Sequence, residues 1–353
     1  MAFAPPVACA PKPTHPQQRC ARSRANAYCF NIFANLGCSL LRPRRVVIYL
    51  SNYHRLFLRV PQVMALVLGV SPSAGAQGSR VAALDAVIVA HQDDWQLFMG
   101  DIVARRVQGG GRIVFVYLTA GDDGRDSLYW TARESGALAS TRVAVGVAAT
   151  ESVTDQCSPV RSLDHVIRKC TIANTESYFF RLPDGHRNGI GFARHSYQSL
   201  RELRRKRITS VSAVDGSATY KGWADVISTV HAIIGGSSAD RMVTVHTSDP
   251  SVLVNPHDHF DHRMAGLLVY DVRKQSKWNV AYYTGYALAT RAPNRSEEQV
   301  RQKTSVFLAY DKMMRDANPK WSAYRERPAF YSQCMLRTYV RRISPPKRFT
   351  GDG

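Results

Sequence analysis

Ala86-Val87-Ile88-Val89-Ala90 runs directly into His91-Gln92-Asp93-Asp94-Trp95, after which Phe98, Ile102, Val103 and Val107 recur at helical spacing. A short run rich in β-branched residues is how a strand buried on both faces of a parallel sheet reads in sequence. The stretch therefore predicts strand, tight turn, helix. The turn places one imidazole and two carboxylates at the carboxyl end of a strand, which is where open α/β sheets bind ligands. Helix capping would account for one of Asp93 and Asp94, but not for the trio.

A second cluster lies far downstream. Asn255-Pro256-His257-Asp258-His259-Phe260-Asp261-His262 follows another strand-like run, Met242-Val243-Thr244-Val245-His246, and holds three histidines and two aspartates within six positions. Both clusters leave strands and enter helices, so one parallel sheet can bring them together at one edge. His91, Asp94 and His262 would then supply two imidazoles and a carboxylate. Catalytic zinc takes three protein ligands and leaves one position for water, which suits this set. Asp93, next to a ligand yet not needed as one, is placed to take a proton from that water. His246, His257 and Asp258 are the spare candidates for metal contact.

At these residues the sequence resembles the LmbE-like, or PIG-L type, N-acetylglucosaminyl de-N-acetylases, whose signatures are Ala-His-Pro-Asp-Asp-Glu and a later His-Pro-Asp-His. Here they stand as Ala90-His91-Gln92-Asp93-Asp94-Trp95 and His259-Phe260-Asp261-His262. The resemblance implies His91, Asp94 and His262 as metal ligands and Asp93 as the general base. It implies His259 as oxyanion stabiliser or acid to the leaving amine, with Asp261 orienting it. Gln92 replaces proline, and Trp95 sets a large apolar ring where the family usually has an acid.

Weaker matches extend the resemblance over roughly residues 83 to 335. Leu118-Thr119-Ala120-Gly121-Asp122-Asp123-Gly124, Arg133-Glu134 and Arg181-Leu182-Pro183-Asp184-Gly185 match further loops of the family, and imply Arg133, Asp123 and Asp184 as substrate-binding residues. Alone, each is also ordinary turn chemistry.

Of the 353 residues, the first 80 carry Lys12 and nine arginines without one Asp or Glu, ten of the formal +20 charge. Nothing before about residue 45 reads as a packed unit. Arg55-Leu56-Phe57-Leu58-Arg59, the apolar stretch Val60 to Val70 and Ser71-Pro72-Ser73-Ala74-Gly75-Ala76 have the anatomy of a secretory signal peptide over residues 55–76, too short to span a membrane. Translation from a start downstream of Met1 would put that signal at the terminus. An organellar transit segment and a disordered basic tail are the other readings of this leader; export, periplasmic or extracellular, is the preferred one. Cys157 and Cys170 flank the polar segment Ser158 to Lys169 and could form a disulfide in an oxidising compartment, or remain two thiols in a loop. Cys334 is left over.

The expected organisation is thus a basic leader (1–80), one deacetylase-like domain (81–340) and a mobile basic tail (341–353). The expected fold is a Rossmann-like three-layer α/β domain with a mainly parallel sheet. Arg201 to Arg207 is the densest basic run and reads as a solvated helix face, with an anion-attracting face as its functional alternative. His231 reads as structural. Trp321, Tyr324, Phe330 and Tyr331 read as core, with a sugar site as the alternative.

The function these readings converge on is removal of an N-acetyl group from an N-acetylglucosamine-containing small molecule or glycoconjugate, with zinc, or another divalent metal, as cofactor. A non-catalytic glycan-binding relative and a polyanion-binding protein are the rivals. No nucleic-acid motif accompanies the charge, and nothing in the sequence indicates a membrane partner or an oligomeric state.

Overall fold

The computed structural model describes residues 83–146, 155–238 and 241–345. The leader, its signal-like segment and the end of the tail lie outside these residues.

The strands are β1 (Leu84–Val89), β2 (Arg112–Thr119), β3 (Gln156–Ser162), β4 (His165–Ile172), β5 (Thr175–Leu182), β6 (Ser210–Ser212), β7 (Thr219–Lys221), β8 (Val243–Ser248), β9 (Asn279–Tyr283) and β10 (Val340–Ile343). The helices are α1 (Asp94–Gln108), α2 (Ser127–Val145), α3 (Leu200–Arg204), α4 (Trp223–Ser238), α5 (Phe260–Arg273), α6 (Glu297–Ala317), α7 (Ala323–Glu326) and α8 (Pro328–Met335). One eight-stranded sheet runs β10-β9-β8-β1-β2-β5-β4-β3. Its centre, from β9 to β5, is parallel, and the strands outside this centre, β10, β4 and β3, are antiparallel.

β1 is buried along its whole length, and alternation sends its side chains to opposite layers. Val87 and Val89 pack with Phe98, Phe115, Phe179 and Phe307 under α1 and α6. Ala86 and Ile88 pack with Val116, Phe180, Val230 and Leu268 under α4 and α5. The result is the expected three-layer, mainly parallel fold. From β1 the chain passes to β2 on one side, while β8 lies on the other. The crevice at the carboxyl ends of β1 and β8 is therefore the point where the connections diverge, the usual ligand position in such sheets.

Two segments differ from expectation. Ser158 to Lys169 is not a loop: β3 and β4 form a hairpin whose register sets Cys157 opposite Cys170, and the two are joined in a disulfide. Most of β3 is exposed, so no apolar alternation betrays it. The basic tail is not wholly mobile either. Val340–Ile343 pairs antiparallel with β9, and Arg341 reaches Asp249 at 3.0 Å; an edge strand needs few apolar residues, so its arginines disguise it.

The C-terminal segment is tied down from beneath by Lys303, which is fully buried on α6. Its Nζ donates to the carbonyls of Cys334 and Arg337 and to Thr338 Oγ1, three acceptors that match three ammonium N–H groups. Burial pushes its pKa down to about 7. Lys303→Met strands these acceptors, so it is expected to cost about 3 kcal/mol, read as a lowered denaturant midpoint.

Candidate active site

The turn after β1 and the first turn of α5 meet in the β1–β8 crevice. His91 Nδ1 lies 3.1 Å from His262 Nε2, and Asp94 Oδ1 lies 3.0 Å from that Nε2 and 3.5 Å from His91 Nδ1. Two ring nitrogens facing each other make at most one hydrogen bond, and the buried Asp94 Oδ1 makes none. Two imidazoles and a carboxylate converging on one point, with an unpartnered oxygen, fit a divalent metal of the zinc class. Asp94 is oriented by the His91 backbone N–H, which donates to Oδ2 at 2.8 Å. His262 Nδ1 faces Asp258 Oδ1 at 3.0 Å, which leaves Nε2 to point inward. Burial opposes charge on both imidazoles, yet Asp94 and the carboxylates behind it outweigh burial, holding His91 at about 10 and His262 well above its usual range. A metal would therefore displace protons here.

Asp93 stands beside this cradle on the cavity wall. Its Oδ1 accepts from Arg133 Nη2 at 2.5 Å, and Arg133 Nε donates to Gln92 Oε1 at 3.1 Å. Arg133, expected to bind substrate directly, thus also clamps the expected base. Gln92 is fully buried and donates to the carbonyl of Thr119 at 2.9 Å, so it fixes the turn that proline would otherwise stiffen. Gly121 closes the far side with φ +56°; a Cβ there would lie 2.7 Å from Arg133 Nε. Trp95 does not reach the cavity: it is fully buried against Phe115 and donates to Tyr117 Oη at 3.1 Å.

Asp184 comes closer to the cradle than a substrate-binding residue on the rim would, at 3.5 Å from His91 Nε2 and 3.7 Å from His259 Nε2. Burial pushes its carboxyl up to about 6, against the pull of His91. Its loop is anchored by Asp122, a fully buried carboxylate that accepts from the Asp184 N–H at 2.9 Å and faces His195 Nε2 at 2.7 Å. Nothing in the sequence distinguished Asp122 from the aspartate beside it. Asp123, its neighbour, sits on the rim at φ +49° and pairs with Arg125.

His259 caps α5, with Nδ1 accepting from the Asp261 N–H at 3.2 Å. Burial, then the charges of His91 and His262, hold its pKa well below 6.5, so the ring is neutral with its proton on Nε2. Asp261 meets His259 twice: its backbone N–H donates to Nδ1, and its carboxylate faces that nitrogen at 3.9 Å while accepting from Gly185 N at 2.7 Å and facing His91 Nε2 at 3.6 Å. Of the spare candidates, Asp258 backs His262, whereas His246 lies between Tyr283 Oη and Asp85 and His257 is exposed. His231 stacks on Trp278, as a structural histidine would.

A cavity of about 330 Å³ opens above these groups. Tyr129, Tyr286, Trp321 and Tyr331 are among the residues that line it. Trp321 and Tyr331 are thus wall residues rather than core alone, and Tyr286 and Tyr129 are cavity residues that sequence reasoning missed; aromatic content does not reveal which face of a ring stays open.

The removal of charge from Asp184 has a sign that can be tested. Its pKa of about 6 in the fold exceeds the ordinary 3.8, so the folded state binds the extra proton and stability falls as pH rises from about 4 to 6. Asp184→Asn should therefore raise the stability of the metal-free protein at pH 8 by about 2 kcal/mol, with no gain at pH 4. Thermal unfolding at the two pH values reads the difference.

Several solved structures resemble the fold. N,N'-diacetylchitobiose deacetylase from Pyrococcus horikoshii is 16% identical with TM-score 0.42, over 75% of this chain and 85% of that one. The zinc-inhibited form of teicoplanin deacetylase Orf2 is 14% identical with TM-score 0.38, over 70% and 94%. The 4-carboxy-2-hydroxymuconate hydratase GalB from Pseudomonas putida is 12% identical with TM-score 0.35, over 75% and 98%. At these scores they carry no functional argument. No curated protein matches the sequence significantly. The profile of the PIG-L family, GlcNAc-PI de-N-acetylase, matches residues 86–272, which hold the whole cradle from His91 to His262 and make up more than half of the chain, and the chain belongs to that family.

Proposed function

We propose that this protein is a metal-dependent de-N-acetylase that hydrolyses the acetamide of an N-acetylglucosamine-containing substrate. The observation that carries the reading is the convergence of His91, Asp94 and His262 on one point, with His91, Asp93 and His259 lining an open cavity beside it. A divalent metal held by those three residues supplies Lewis acidity toward the carbonyl oxygen and lowers the pKa of water. Zinc is the metal that two imidazoles and a carboxylate favour.

The chain's own groups do the rest. Asp93, with Oδ1 held by Arg133, accepts the proton of the attacking water through its other oxygen. The neutral His259, with Nε2–H turned to the cavity, donates to the developing oxyanion. As the C–N bond breaks, the proton taken up by Asp93 passes to the leaving amine, releasing acetate and the free amino sugar. Trp321 and Tyr331, on the cavity lining, offer apolar ring surface for a sugar.

Export is part of the proposal: the Cys157–Cys170 bond supports an oxidising compartment. The test is acetate release from a panel of N-acetylglucosaminides by the protein as purified, after chelation, and after zinc is restored. Release that disappears with the chelator and returns with zinc is expected. Saturable glycan binding with metal present and no acetate from any panel member would replace the enzyme with the glycan-binding relative.

A further inference from the structure

Phe260 stands where the family signature has proline, between His259 and Asp261. Its ring packs on the core under α4 and α5. Three guanidiniums gather on it: the Cζ atoms of Arg201, Arg263 and Arg205 lie 5.0, 5.6 and 6.0 Å from the ring centroid. The basic run Arg201 to Arg207 is thus not simply a solvated face; two of its arginines, Arg201 and Arg205, meet Arg263 of α5 over one ring.

Carboxylate cover at this point is thin. Glu202 pairs with Arg201 at 2.9 Å, but is shared with Arg207 at 3.3 Å. Among the described residues, neither Arg205 nor Arg263 has a carboxylate within 4.0 Å. The Nε–H groups of Arg201 and Arg263 are buried and donate to nothing. One aromatic quadrupole attracts each cation weakly and does not cancel the repulsion among three. A buried donor without an acceptor adds a second cost. A tetrahedral oxyanion settled among the three would relieve the repulsion, since guanidinium forks match its geometry.

The cluster also touches the loop that carries Asp184. Gly189, at φ +80°, passes so close that a Cβ there would lie 2.3 Å from Arg201 Cδ and 2.7 Å from the Phe260 ring. Gly185 of the same loop donates to Asp261. We propose that Arg201, Arg205 and Arg263, arranged around Phe260, form a binding site for a phosphate-class oxyanion, separated from the cavity by the 184–191 loop. The phosphate is carried either by a soluble molecule or by a lipid headgroup. The site stands independently of the reaction assigned to the cavity.

Isothermal titration of the full-length, metal-loaded protein with inorganic phosphate tests it. Arg205→Ala, at an exposed position, and Arg263→Gln should each weaken binding about tenfold, whereas Arg301→Ala, an exposed cation on α6, should leave it unchanged. Binding should persist after the metal is removed with a chelator, which separates this site from phosphate held at the metal cradle. Co-sedimentation with phosphatidylglycerol vesicles against phosphatidylcholine vesicles assigns the source. Retention on the former that both arginine variants reduce points to a headgroup, and phosphate binding without retention points to a soluble phosphate. Neither phosphate binding nor selective retention would overturn the proposal, as would binding that is unaffected by both arginine variants or equally weakened by Arg301→Ala.

Discussion

Asp93→Asn is expected to keep bound metal at wild-type stoichiometry and to lower kcat for acetate release by about 10²- to 10⁴-fold, the usual contribution of a positioned general base. Asparagine preserves the shape of the side chain and an oxygen for Arg133, so the cavity wall should stay in place. It cannot take up the proton of the attacking water. KM should change little, because the loss falls on a step after binding. Metal content by elemental analysis and single-turnover acetate release separate the two effects. A variant with full kcat would show that the proton goes elsewhere, with Asp184 next in line because burial already places its pKa at about 6.

His262→Ala should do the opposite: metal and activity go together. The imidazole is fully buried and supplies one of the three converging atoms, so no surface side chain can swing in to replace it. Its loss also leaves the Asp258 carboxylate without its 3.0 Å partner. Metal affinity should fall by at least about 100-fold, measured by competition with a chromogenic chelator. The folded protein should persist, since α5 is held by Met264, Leu268, Val269 and Val272 rather than by the site. Retained metal with lost activity would shift His262 from ligand to catalyst.

The central strands were legible because burial on both faces writes itself as β-branched runs; β1 and β8 lie within a few residues of the runs Ala86–Ala90 and Met242–His246. α6 opens on a capping box in which Ser296 and Gln299 satisfy each other's backbone N–H groups. What escaped notice follows from exposure. β3 and β10 sit at the sheet edges, where packing asks for little apolar surface, so one read as a polar loop and the other as a tail. At the site, the residue types and their order were visible, but their mutual arrangement was not. That Arg133 clamps Asp93, or that the Asp261 carboxylate turns toward Gly185, depends on loops that meet only in three dimensions. Trp95 shows the same limit from the other side: a ring beside a catalytic pair in sequence ends in the core, because α1 points it at Tyr117.

The two antiparallel edges have a consequence for how this protein behaves in a crowded solution. A parallel sheet cut off at β9 and β5 would present rows of unpaired amides to any other chain, an invitation to strand-by-strand self-association. Here one border is β3, interrupted by Pro159, which lacks an N–H, and carrying Arg161; the other is β10, with Arg341 and Arg342 side by side. Both borders therefore resist templated growth. A chain shortened before Val340 would lose that protection on one side, leaving β9 as a bare apolar edge prone to aggregation.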